Sequence, residues 1–133
     1  MSPALRPLVL LVEDSDDTRE LIAECLAMSG FEVRQARDGF EALAMAVAAP
    51  IPDVVLMDLG LPGIDGLEAA RRLRADARTR GIPIVALTGQ SAQEPPSGLS
   101  AFLTKPCLPD VVAGALRRVL DGQPRAADAR SFS

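Results

Sequence analysis

"VVLMDLGLPGIDG", residues Val54 to Gly66, runs from an apolar core segment into a Gly- and Pro-rich loop. Four apolar residues in a row, Val54–Met57, read as a strand covered on both faces, the pattern of a parallel sheet packed between helices. Asp58 stands where that strand must end, because "LGLPGIDG" is too rich in Gly and Pro to continue it. A carboxylate at the mouth of an apolar strand is either a turn former or a chemical group.

The flanking sequence supplies the rest of the sheet. Short apolar runs predict strands at Leu8–Val12, Phe31–Ala36, Ile82–Thr88 and Ala101–Thr104. Amphipathic segments between them predict helices. Asp16–Ser29 carries Leu21, Ile22, Cys25 and Leu26 on one face and stops at Gly30; Gly39–Ala48 carries Leu43 and Val47 and is closed by Pro50 and Pro52. Leu67–Ala75 turns Leu67, Ala70 and Leu73 inward, and Pro109–Leu120 is the last helix. Strands alternating with helices mean βαβ units, hence an α/β fold with a doubly wound five-stranded parallel sheet in the order 2-1-3-4-5. Residues 1–122 form one domain, and 123–133, small and polar, read as a frayed tail.

Bulk properties narrow the function. The 133 residues are 48% hydrophobic, enough for one core, and the net charge of −4 argues against direct nucleic-acid binding, which needs clustered Lys and Arg. No apolar run approaches the roughly 20 residues of a membrane span and no signal segment opens the chain, so the expected location is cytoplasmic, with no membrane partner. Cys25 and Cys107 fit neither a disulfide framework nor a metal spacing and read as buried, reduced thiols. There is no histidine, which excludes catalytic triads, His-ligated metals and histidine phosphorylation within this chain.

In a doubly wound sheet, ligands bind beyond the carboxyl ends of the strands. Glu13 and Asp14 follow the first strand, Asp58 ends the third, Thr88 the fourth, and Lys105 follows the fifth. Taken singly each has a plain structural reading: an acidic helix start, a turn, a strand-end hydroxyl, a solvated lysine. Taken together, four strands deliver three carboxylates, a hydroxyl and an ammonium to one rim. Like charges about 4 Å apart repel by about 4 kcal/mol at an effective dielectric of about 20. A hard divalent cation is the natural remedy, and Mg2+ uses one or two carboxylates while keeping several waters. Its two charges and that of Lys105 would balance the three acids.

At these residues the chain resembles the response-regulator receiver domain, a chemotaxis-regulator-like family of two-component signalling. The resemblance is carried by "LLVEDS", "VVLMDLGLPGIDGLE", "IPIVALTG" and "AFLTKP", in this order and spacing, over Leu8–Leu120. It implies that Asp58 accepts a phosphoryl group from a phosphohistidine on a sensor histidine kinase or histidine phosphotransfer protein. It implies Mg2+ held by Asp14, Asp58 and the backbone carbonyl of Gly60, with Glu13 acting through a water. Thr88 and Lys105 would bind the phosphoryl group, Pro106 would follow a cis peptide that aims the lysine, and Gly60 and Gln90 would tune the lifetime. Thr88 and Phe102 would form the switch read by a downstream protein target, Phe102 also reading as an ordinary core residue. The implied domain is a signalling module, catalysing only its own aspartyl phosphorylation and dephosphorylation.

Two other readings, one sharing the topology and one sharing an aspartyl nucleophile, fit less well. A flavodoxin cradles phosphate in a Ser/Thr/Gly loop where this chain has "EDSDD", and a haloacid-dehalogenase-type phosphatase needs a second Asp where this chain has Gly60. The alternatives within the family are a phosphorylation-independent pseudo-receiver and the receiver segment of a hybrid sensor kinase. One departure from the family stands out. Only residues 89–100, "GQSAQEPPSGLS", connect the fourth and fifth strands, and Pro95, Pro96 and Gly98 disfavour a helix there. The usual fourth helix is therefore expected to be shortened or missing, with a loop in its place, an altered partner surface and a less covered Phe102.

Overall fold

The computed structural model describes residues 6–89, 99–105 and 108–122. Five strands, β1 (Leu8–Val12), β2 (Glu32–Ala36), β3 (Val54–Asp58), β4 (Ile84–Thr88) and β5 (Ala101–Thr104), form one parallel sheet in the order β2-β1-β3-β4-β5. The described helices are α1 (Asp16–Met28), α2 (Gly39–Ala46), α3 (Gly66–Ala75) and α4 (Pro109–Asp121). The α/β doubly wound class and the strand order agree with the sequence reading. The expected shortening or loss of a helix between β4 and β5 falls on residues 90–98, outside the described residues, as do Gln90, Pro106, Cys107 and the tail. Among the described residues, the cis peptide is Ala49–Pro50, and no helix is long and apolar enough to cross a membrane.

Strand alternation divides the core. Leu10, Val12, Val55, Met57 and Ile84 face one side, under α2 and α3; Val9, Leu11, Leu56, Val85 and Leu87 face the other, under α1 and α4. β1 and β3 are buried at every position, as strands covered on both faces must be. Local chemistry starts each crossover helix. The side chains of Ser15, Asp38 and Asp65 accept from the backbone N–H of Thr18, Glu41 and Glu68, satisfying donors that a helix N-terminus leaves open. α4 instead begins with Pro109, whose missing N–H costs nothing there. α1 has no basic residue in its last turn; Arg117 of α4 supplies the cation, donating to the Ser29 carbonyl and lying 4.6 Å from the Phe31 ring centre.

Two inward assignments are corrected. Leu21 is 58% exposed and Leu67 43% exposed. The buried stripe of α1 is Arg19, Ala23 and Leu26, and at about 100° per residue Leu21 lies on the opposite side. On α3 the stripe is Gly66, Ala69, Ala70 and Leu73, which leaves Leu67 roughly a quarter turn out.

Candidate functional site

Asp58 is held by the ladder with β4. It pairs in register with Leu87, and the next amide, Leu59 N–H, donates to the Leu87 carbonyl at 2.9 Å. The chain then turns away through Gly63, whose φ of +77° a side chain would strain. It returns at Gly66, whose N–H donates to the Leu59 carbonyl. Glu13 and Lys105 are built alike, one residue beyond β1 and β5. Their amides donate to the Ala36 and Thr88 carbonyls at 3.1 and 2.7 Å. Backbone pairing thus continues through the rim, and the functional side chains leave from fixed peptides.

Those side chains converge. One oxygen each from Glu13, Asp14 and Asp58 lies within 4.8 Å of the other two. Lys105 Nζ donates to Asp58 Oδ2 at 2.9 Å and to Glu13 Oε1 at 3.3 Å. Asp58 Oδ1 accepts from Gly60 N–H at 2.9 Å, and Glu13 Oε2 from Ser15 N–H at 3.1 Å. Glu13 is 2% and Asp58 7% exposed, whereas Asp14 faces solvent. Thr88 ends β4 beside Lys105, and Phe102 lies half-buried in β5 opposite Ala86.

Burial pushes the Glu13 carboxyl above its usual range, and the Asp58 charge pushes the same way, against the Ser15 N–H and Lys105. Partial burial works against the Lys105 ammonium, but the hydrogen bond and charge of Asp58, reinforced by Glu13, outweigh it and hold its pKa above the ordinary value. An acid whose folded pKa is raised binds its proton more tightly folded than unfolded, so ionised Glu13 costs stability at neutral pH. That cost disappears as pH falls through the raised pKa toward 4.5. Lys105 stays charged throughout that window. Glu13→Gln is therefore expected to raise the metal-free melting temperature at pH 7.5, with the gain shrinking toward pH 4.5; thermal melts in EDTA at both values check this, and an equal shift at both contradicts it.

Packing under the rim is tight at one glycine. A Cβ on Gly66 would lie 2.6 Å from the Asp58 carbonyl oxygen and 2.7 Å from Leu59 Cα, both backbone atoms. Gly66→Ala is expected to cost about 1–3 kcal/mol by overpacking, and a denaturant melt reads it directly; an unchanged midpoint would mean that the end of β3 yields freely.

The donor set is all oxygen, two carboxylates are buried and one is open to solvent, and the three share a single space. That is a chemistry suited to Mg2+ and unsuited to the softer metals that seek Cys or His. Arg19 was not legible as part of this site. Buried at 7% exposure, it binds the Glu13 carbonyl from beneath.

Acids and a lysine gathered at the switch point between β1 and β3 of a parallel α/β sheet are the arrangement expected of a receiver domain. The response regulator receiver domain family matches residues 9–117, and the chain belongs to it. It is 37% identical over 129 residues to the DNA-binding dual master transcriptional regulator RpaA of Synechocystis, covering 91% of this chain and 53% of the relative; the chain thus spans about half of that protein. Among solved structures it is similar to chemotaxis response regulator CheY4 of Vibrio cholerae (33% identity, TM-score 0.79, 86% of this chain and 98% of that one). It is also similar to the receiver domain of sensor histidine kinase PA1611 from Pseudomonas aeruginosa PAO1, described with a magnesium ion coordinated in its active site cleft (31% identity, TM-score 0.80, 87% and 98%).

Proposed function

We propose that the chain is a working phosphoacceptor receiver, with Asp58 taking a phosphoryl group from a phosphohistidine on a sensor histidine kinase or phosphotransfer protein. The observation that carries this reading is the Asp58 carboxylate itself. It is fixed by Gly60 N–H on one oxygen and by Lys105 on the other, beside two further acids and at the end of a fully buried strand.

In the transfer, an Asp58 oxygen forms a bond to phosphorus while the phosphorus–nitrogen bond of the donor breaks. The electron pair stays on the imidazole nitrogen. Phosphoryl transfer depends mainly on alignment and charge compensation. The fixed strand end supplies the alignment. Lys105 supplies a cation within reach of the incoming oxygens, and Thr88 offers a hydroxyl at the neighbouring strand end. Asp14, Asp58 and the Gly60 carbonyl would hold Mg2+, with Glu13 bound through water; the ion supplies neutralisation of phosphoryl charge. The product is a mixed anhydride that water hydrolyses, so the signal is transient. Thr88 and Phe102 carry the change to β5 and a downstream protein target, with no direct nucleic-acid contact by this domain. Cytoplasmic placement suits this chemistry.

Incubation with acetyl phosphate and Mg2+ tests the reading: intact mass should rise by one phosphoryl group, and EDTA should prevent it. A chain that stays unlabelled with Mg2+ and donor in excess would be a phosphorylation-independent interaction module.

A further inference from the structure

We propose that Arg19 is a positioning residue for the metal site, fixing the Glu13–Asp14 peptide so that Asp14 meets Asp58; the proposal rests on the Mg2+ reading above. The side chain is 9% exposed and reaches three acceptors from three places. Nη1 donates to the Glu13 carbonyl at 3.0 Å, Nε to the Gln35 side chain at 3.0 Å, and Nη2 to Asp16 at 2.7 Å. The Glu13 backbone is thus held on both sides of its Cα, its N–H by the Ala36 carbonyl in β2 and its C=O, in the peptide to Asp14, by a guanidinium itself tied to β2 through Gln35.

This matters most for Asp14. Glu13 has its own side-chain anchors, in Lys105 and Ser15 N–H. Asp14 is exposed, and its carboxylate joins the three-acid cluster from the peptide that Arg19 grips. A free turn would let three like charges spread apart; a planar fork of fixed donors holds them at ligating range. Lysine, a point charge, can satisfy one of the three acceptors but cannot fix the plane. Groups that orient metal ligands in this way typically control affinity by about 10–100-fold.

Calorimetric Mg2+ titration of folded protein tests this. Arg19→Met is expected to weaken Mg2+ binding at least tenfold, Arg19→Lys by an intermediate amount, and Asp16→Asn by less than threefold, since it removes only the solvent-side partner. Arg117→Ala, which breaks the clamp at the far end of α1, should lower the melting temperature and leave Mg2+ affinity unchanged; loss of stability alone therefore cannot mimic the result. Binding by Arg19→Met within threefold of the parent overturns the proposal. If circular dichroism shows that variant unfolded, Arg19→Lys decides at the same threefold limit. A parent that binds no Mg2+ overturns the metal reading itself, an outcome distinct from a parent that binds and a variant that binds equally well.

Discussion

Asp58→Asn should remain folded and take up no phosphoryl group from acetyl phosphate under conditions that label the parent. The substitution keeps the shape of the side chain and an oxygen able to accept the Gly60 N–H bond. What disappears is the carboxylate nucleophile, because a neutral amide does not form the acyl phosphate. Lys105 loses one charged partner but keeps Glu13 at 3.3 Å, so the rim need not collapse. The expected effect is all or none, read by intact mass. A labelled Asp58→Asn chain would move the acceptor to another residue.

The second large effect is that of the ion on the fold. A ligand that binds only the native state stabilises it by RT ln(1 + [L]/Kd), about 2.7 kcal/mol at one hundred times the dissociation constant. At about 4 °C per kcal/mol for a domain of this size, that is a rise of about 10 °C in melting temperature. Asp14→Ala removes the solvent-facing carboxylate of the three and should abolish the rise. Cys25→Ala, on α1 and outside the acid cluster, should preserve it. A parent indifferent to Mg2+ would contradict the site.

Much of this was legible before the structure. Apolar runs marked β1 and β3 to the residue because strands buried on both faces leave no ambiguity of period; β5, a half-buried edge strand, was marked by its own short run, Ala101–Thr104. The chemical types at the strand ends marked the rim, since βαβ topology sends every carboxyl end to one side. Less was legible where a residue's role depends on tertiary geometry. Leu21 and Leu67 looked inward because leucine is usually buried, but the true stripes are set by where each helix lies on the sheet. Nothing in the local sequence around Arg19 marks it for burial. Its burial comes from β2, which brings Gln35 to its Nε, a contact sixteen residues away along the chain. The convergence of Lys105 on Glu13, across ninety-two residues, likewise exists only once β5 has closed the sheet.

If Asp58 itself carries the phosphoryl group, chemical trapping should locate it there. Borohydride reduces an acyl phosphate to an alcohol and so leaves a permanent mark on the modified carboxylate. After phosphorylation with acetyl phosphate and Mg2+, reduction and proteolysis, tandem mass spectrometry should find that mark on the peptide containing Val54–Gly66, at Asp58, and not in a sample treated with EDTA. A mark on Glu13 or Asp14, or phosphate retained on a serine or threonine with Asp58 unmodified, would contradict the account.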